Sequence, residues 1–169
     1  MTDTAGTGDF AAWYARTYPR LAAALTVFGR DRELARDAAA EACTRALERW
    51  DRVAVMASPD GWAYRVGVNA LRRRQRRAAL EHRLLRRLDR SSVVAPAELD
   101  PALWDAVRAL PARQREAVVL RYVLDLEQHE IADAMGVSAG TVASTLHAAR
   151  ARLHAALGGI DPDVLSEVE

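Results

Sequence analysis

The sequence predicts an all-α protein of two small helical domains joined by a flexible linker, and three observations point to that class. Apolar residues recur at helical spacing through most of the chain. Alanine fills many of those apolar positions, while aromatics make up only 6% of the 169 residues, which favours thin, closely packed helices over sheets or large aromatic cores. Between residues 91 and 97 the run SSVVAPA loses the periodicity and contains proline, and Asp100 and Pro101 follow; such a stretch reads as linker. A chain of this length is comfortable as two units, each closing a modest core of its own.

The elements follow in order. Residues 10–29 form a first helix, with Phe10, Trp13, Tyr14, Leu21, Leu25 and Phe28 available for a core and Gly29 at its end. Asp31 caps a second helix, which runs from about Arg32 to Trp50. A connection from Arg52 to Pro59 leads to a third, which opens near Asp60 and runs into a block of arginines. These helices make a first domain over residues 9–86. Residues 87–100 are the linker. Helices at 101–109, 112–123, 127–135 and 139–157, punctuated by Pro111, Asp125 and Gly136, make a second domain over 101–158. Residues 159–169 are expected to be a loose acidic tail.

Composition narrows the function. The lone Cys43 rules out an internal disulfide and a cysteine-built zinc site, which fits a reducing cytoplasm. The opening MTDTAGTGDF lacks the basic and apolar regions of a signal peptide, and Arg or Asp interrupts every apolar run, so no membrane insertion is expected. There is no Gly-rich phosphate loop, no activated nucleophile pattern and no metal-spaced histidine cluster. His147 and His154 share a helix face but lie two turns apart, too far for a local metal pair. The expectation is a protein that is not an enzyme, with no catalytic residue, cofactor, metal or small-molecule substrate.

The formal net charge of +1 hides a strong asymmetry. Every basic side chain is arginine, and Arg65, Arg72, Arg73, Arg74, Arg76, Arg77, Arg83, Arg86, Arg87 and Arg90 stand against only Glu81 and Asp89 over that stretch. Guanidinium forks bind phosphate oxygens in pairs and displace condensed counterions, whereas a merely solvated helix face alternates in sign. On the helix beginning at Trp62, Tyr64, Val68 and Leu71 share one face, and Trp62, Arg65, Asn69, Arg72, Arg73 and Arg76 gather on the other. An indole can stack on an unpaired base, an amide can read a base edge, and guanidinium groups can hold the flanking phosphates. The alternative for Trp62 is an ordinary place in the core.

Two further patterns stand out. Residues Glu127 to Val142, EQHEIADAMGVSAGTV, have the spacing of a helix-turn-helix. Ala132 is small where two helices cross, Gly136 can take the left-handed conformation that stops the first, Ser138 can cap the second, and Val142 plugs the angle between them. DNA recognition is the expected use, and a plain helical hairpin is the alternative. Upstream, the helix from Ala35 to Trp50 puts Ala35, Ala39, Cys43, Ala46 and Trp50 on one side, with Asp37, Glu41, Thr44 and Glu48 opposite as an exposed acidic stripe. That stripe is either a solvated face or a docking surface for a basic partner.

The succession of these pieces resembles the extracytoplasmic-function (ECF) group of RNA polymerase sigma factors. Ala35 to Leu47 (ARDAAAEACTRAL) is similar to the family's region 2.2, Gly61 to Asn69 (GWAYRVGVN) with the arginines after it to regions 2.3 and 2.4, and Leu110 to Tyr122 (LPARQREAVVLRY) with the helix-turn-helix to region 4. The likeness runs over about residues 9–157. It implies a sigma factor that binds core RNA polymerase and directs promoter recognition and transcription initiation, with promoter DNA and an anti-sigma factor as further partners. It also implies roles for residues: Asp37, Glu41, Thr44 and Glu48 on the polymerase; Trp62, Arg65, Asn69, Arg72, Arg73, Arg76 and Arg77 on the minus-ten element; Ser138, Thr141, Ser144, Thr145, His147 and Arg150 on the minus-thirty-five element. Gly67 stands where the family customarily has Ala, at an expected cost of about 1 kcal/mol in an exposed helix interior. The rival reading is a helix-turn-helix regulator that binds DNA without acting as a sigma subunit.

Overall fold

The computed structural model describes residues 4–85 and 101–158, all helices and short turns, and the chain divides into two compact units between Val94 and Ala95. The expected linker over residues 87–100 and the expected tail over 159–169 lie outside the described residues. No described helix is long and apolar enough to cross a membrane.

The first unit holds α1 (Thr4–Gly29), α2 (Arg32–Leu47), α3 (Trp50–Val53) and α4 (Pro59–Leu85). Arg30 takes a positive φ of 60° to reverse the chain, and the Asp31 carboxylate then accepts from the Leu34 N–H at 2.9 Å and caps α2. Ala35, Ala38, Ala39, Ala42 and Ala46 of α2 are all fully buried. Their small side chains let α2 lie close against both α1 and α4, where Leu21, Leu25, Tyr64 and Leu71 supply the bulk. Each such fully buried leucine contributes roughly 1.5–3 kcal/mol.

Three expectations are corrected here. The second helix stops at Leu47, because Arg49 leaves the helical region at φ −135° and ψ 28°, and Trp50 opens the separate turn α3. That break swings the Trp50 ring onto α1, 5.1 Å from the ring of Trp13 and 5.3 Å edge-on from Phe10. Tyr14 is not a core residue: it is 40% exposed and stacks on Tyr18. Gly67 is not in an exposed position but buried against Leu25.

The second unit holds α5 (Pro101–Ala109), α6 (Ala112–Tyr122), α7 (Gln128–Met135) and α8 (Ala139–Ala156). Trp104, Val107, Leu120, Leu124, Leu126, Ile131 and Leu153 form its core. The Arg115 guanidinium donates to the carbonyls of Arg108 and Leu110 at 3.0 and 3.1 Å, satisfying the C-terminal end of α5.

Candidate nucleic-acid interface

The long helix α4 is fixed at its start by a half-buried polar knot. Asp60, in its first turn, accepts from Trp13 Nε1 at 2.5 Å and from Thr17 Oγ1 at 3.0 Å, both on α1. Further along, Gln75 Nε2 donates to the Gly29 carbonyl at 2.8 Å, closing the other end of the α1 contact. Between these ties the apolar side of α4 is buried through Ala63, Tyr64, Val68, Ala70 and Leu71.

The opposite side carries the residues expected to meet DNA, and the structure sorts them. Arg65, Asn69, Arg76 and Arg77 are exposed, and Trp62 is half-buried between solvent and core. Arg72 lies over the Phe28 ring at 5.3 Å, so α1 steadies its guanidinium. Arg73 turns the other way: its Nη2 is 2.8 Å from Glu41 Oε1 on α2, while Arg74 bonds Glu41 Oε2 and Arg45 reaches Oε1 at 2.7 Å. Glu41 is thus the centre of an arginine cluster, whereas Asp37 and Thr44 on the same helix and Glu48 at its C-cap stay exposed. The Arg74 hydrogen bond, with the charges of Arg74, Arg45 and Arg73, holds the Glu41 carboxyl below its ordinary value against the opposing effect of burial.

In the second unit α7 and α8 form the expected helix-turn-helix. Glu127 and Glu130 close a reciprocal capping box at the start of α7, and Gly136 ends it in the left-handed region at φ 66° and ψ 42°. Ser138 Oγ accepts from the Thr141 N–H at 3.2 Å to cap α8. Gln128 Nε2 donates to the Ala139 carbonyl at 2.8 Å and ties the two helix starts together. Val142, Leu146, Ala149 and Leu153 are the buried stripe of α8. Ala143, Ser144, His147, Arg150, Ala151 and His154 are exposed.

The hydroxyls of that face are already engaged within the chain. Ser138 and Thr141 share the cap at 2.9 Å, while Ser144 and Thr145 donate back to the Thr141 carbonyl at 3.0 and 2.6 Å. Arg150 is steadied by a 3.0 Å bond from its Nε to the Tyr122 hydroxyl. Sequence reasoning missed Arg74, Phe28, Asp60 and Tyr122 as supports of the two faces. Their partners are 28 to 47 residues away in the chain, beyond any local pattern.

Both units match family models: residues 13–81 match sigma-70 region 2, and residues 101–153 match sigma-70 region 4. The chain is 38% identical over 132 residues to the RNA polymerase sigma-E factor of Streptomyces avermitilis, covering 76% of this chain and 74% of that protein. It is 36% identical over 187 aligned positions to an uncharacterised protein of Rhizobium meliloti, covering all of this chain but 43% of that protein's length. The Bartonella quintana sigma factor RpoE, crystallised with the anti-sigma factor NepR, shares the fold at a TM-score of 0.72 and 23% identity, over 89% of this chain and 97% of that one. The chain therefore belongs to the sigma-70 family of RNA polymerase sigma factors. With region 2 and region 4 as its matched parts and sigma-E factors among its relatives, it falls in the ECF group.

Proposed function

We propose that this chain binds core RNA polymerase and directs it to promoters, acting as a cytoplasmic initiation factor that catalyses nothing itself. The observation that carries the reading is the outer face of α4, where Trp62, Arg65, Asn69 and Arg76 sit together on a helix held to α1 at Asp60 and at Gln75. A half-buried indole beside an exposed amide and guanidinium groups suits an unpaired strand better than a closed duplex.

The remaining roles follow the same reading. Residues 9–86 act on the polymerase and the minus-ten element, residues 87–100 link, and residues 101–158 act on the minus-thirty-five element. Asp37, Thr44 and Glu48 form the docking edge, since Glu41's carboxylate is committed to arginines of its own chain. On α8, His147 and Arg150 are the outward polar groups best placed to meet DNA, with the lone pairs of Ser144 and Thr141 beside them. An anti-sigma factor is a further partner proposed on family grounds.

Run-off transcription with core polymerase on a library of promoters tests this. The expected result is a discrete set of transcripts that require the chain and share spaced minus-ten and minus-thirty-five sequences. DNA binding without any polymerase-dependent transcript would favour the regulator reading.

A further inference from the structure

Glu41 is the one acidic side chain of the α2 stripe that is drawn into the body of the first unit, with 23% of its side chain exposed. Both of its oxygens are used. Arg45 and Arg73 meet Oε1 and Arg74 meets Oε2. Arg73 and Arg74 belong to the same α4 run as Arg72, Arg76 and Arg77, but they bend toward α2, and each gives one guanidinium nitrogen to the carboxylate. A carboxylate and a phosphate ask the same thing of a guanidinium: two oxygens in the plane of the fork. Glu41 is attached to the fold beside its arginines, so it holds them without the entropy loss that a nucleic acid incurs on arrival.

We infer that Glu41 is a positioning residue that keeps Arg73 and Arg74 off the nucleic-acid backbone, confining phosphate contact on α4 to the stripe through Arg65 and Arg76. This deepens the proposed function and rests on its reading of α4 as a DNA face. The consequence is selectivity. An arginine run with every fork free grips any phosphate backbone, because that attraction carries no sequence information. With two guanidinium groups tied to Glu41 from within, a larger share of the binding comes from Trp62 and Asn69, which on this reading meet bases rather than phosphates.

The test uses the full chain and a fluorescein-labelled, mixed-sequence single-stranded DNA, with affinity followed by anisotropy across a salt series. Glu41→Gln keeps the size of the side chain, removes its charge and releases Arg73 and Arg74 on α4, together with Arg45, which stays on α2. With two added phosphate contacts, the slope of log K against log salt steepens by about 1.4, at ~0.7 per contact on a single strand. The triple variant Glu41→Gln, Arg73→Gln, Arg74→Gln returns the slope to that of the wild type. Glu41→Asp keeps the charge but shortens the reach by one methylene, so it too steepens the slope. If Glu41→Gln leaves the slope unchanged, or if Glu41→Asp matches the wild type while Glu41→Gln does not, the inference is overturned, in favour of a structural bolt or a plain net-charge effect respectively. Arg65→Gln with Arg76→Gln separates this from the underlying reading. A shallower slope in that pair alongside an unchanged Glu41→Gln overturns the Glu41 inference alone, whereas an unchanged slope in that pair removes α4 as the DNA face. Far-UV circular dichroism of each variant confirms the fold, and Glu41→Asp carries the test should Glu41→Gln unfold.

Discussion

Trp13 and Asp60 are 47 residues apart in sequence, yet the indole Nε1 donates to the carboxylate Oδ1 at 2.5 Å. Thr17, fully buried, donates to the same oxygen at 3.0 Å. Asp60→Ala leaves two buried donors without an acceptor and takes a negative charge from the first turn of α4, where the helix dipole favours it. The expected loss is about 1–3 kcal/mol. Asp60→Asn keeps an acceptor oxygen and loses less. Urea unfolding followed by circular dichroism and tryptophan fluorescence checks the order of the two variants. Equal losses would mean that the charge, and not the acceptor, holds the helix start.

Gly67 is the second test of how α4 sits. A Cβ at this position would lie 2.7 Å from Leu25 Cδ1, and Leu25 is itself fully buried. Two effects oppose each other in Gly67→Ala: helix propensity gains about 1 kcal/mol, and overpacking a closed core costs about 1–3 kcal/mol. Overpacking is expected to win because Leu25, whose terminal methyl has to shift, is fully buried. The variant is expected to be less stable, with a lowered Tm in a thermal melt. A raised Tm would show that the core between α1 and α4 yields easily.

Gly67 also marks the limit of what the sequence made legible. The helix around it was readable, because period and caps are local properties: Asp31, Gly136 and Ser138 act within a few residues of themselves. The buried stripe of α8 was readable for the same reason. What lay across from each side chain was not. The face of α4 that holds Arg73 could be predicted, but not that Glu41 lies within reach of it, since that depends on the angle at which α2 crosses α4. A row of buried alanines and one glycine sets how close the helices come. Trp50 was misplaced on α2 for a related reason: the rings of Phe10 and Trp13 that draw it away belong to a different helix.

The ion cluster at Glu41 gives a signed pH dependence. A carboxyl whose pKa is lowered in the folded chain stabilises the fold fully above its ordinary value of 4.5, and that contribution is lost as the pH falls below it toward the folded value. Glu41→Gln lacks this contribution at every pH. The stability gap between wild type and variant is therefore expected to be constant from neutral pH down to about 5 and to narrow below 4.5. Urea midpoints of the two proteins across that range provide the check, and a gap that widens in acid would contradict the assigned charge state.

Cys43 lies in the buried seam of α2, 2% exposed, and its thiol is pushed up to about 11, chiefly by burial and secondarily by the charge of Asp60. Since the thiolate is the reactive form, the native chain should resist iodoacetamide at pH 8 and label fully in denaturant. The labelling rate then reports the opening of the first unit. Asp60→Ala should raise that rate more than Asp60→Asn does, in parallel with their stability losses. Fast labelling of the wild type would place the thiol near a surface that the burial does not allow.

The last prediction concerns α8, whose outward face has little fixed charge to offer DNA. Ala143, Ser144, His147, Ala151 and His154 are exposed there, Ala148 is half-buried, and the hydroxyls of Ser144 and Thr145 are spent on the Thr141 carbonyl. Of the arginines on this helix, Arg150 is tethered to Tyr122 and Arg152 to Gln114 at 3.2 Å, both bonds reaching back to α6. Because phosphate neutralisation supplies most non-specific affinity, such a face is expected to bind duplex DNA weakly, which on the proposed function would leave promoter choice to lean on α4. Ala143→Lys with Ala151→Arg places two cations at exposed positions without touching the buried stripe of Val142, Leu146, Ala149 and Leu153. The full-length variant is expected to bind duplex DNA more tightly and to steepen the salt dependence by about 1.8, at ~0.9 per phosphate contact on B-form DNA. A salt titration by fluorescence anisotropy reads this directly. If the slope does not change, the α8 face lies away from DNA, and the role proposed for this helix is overturned.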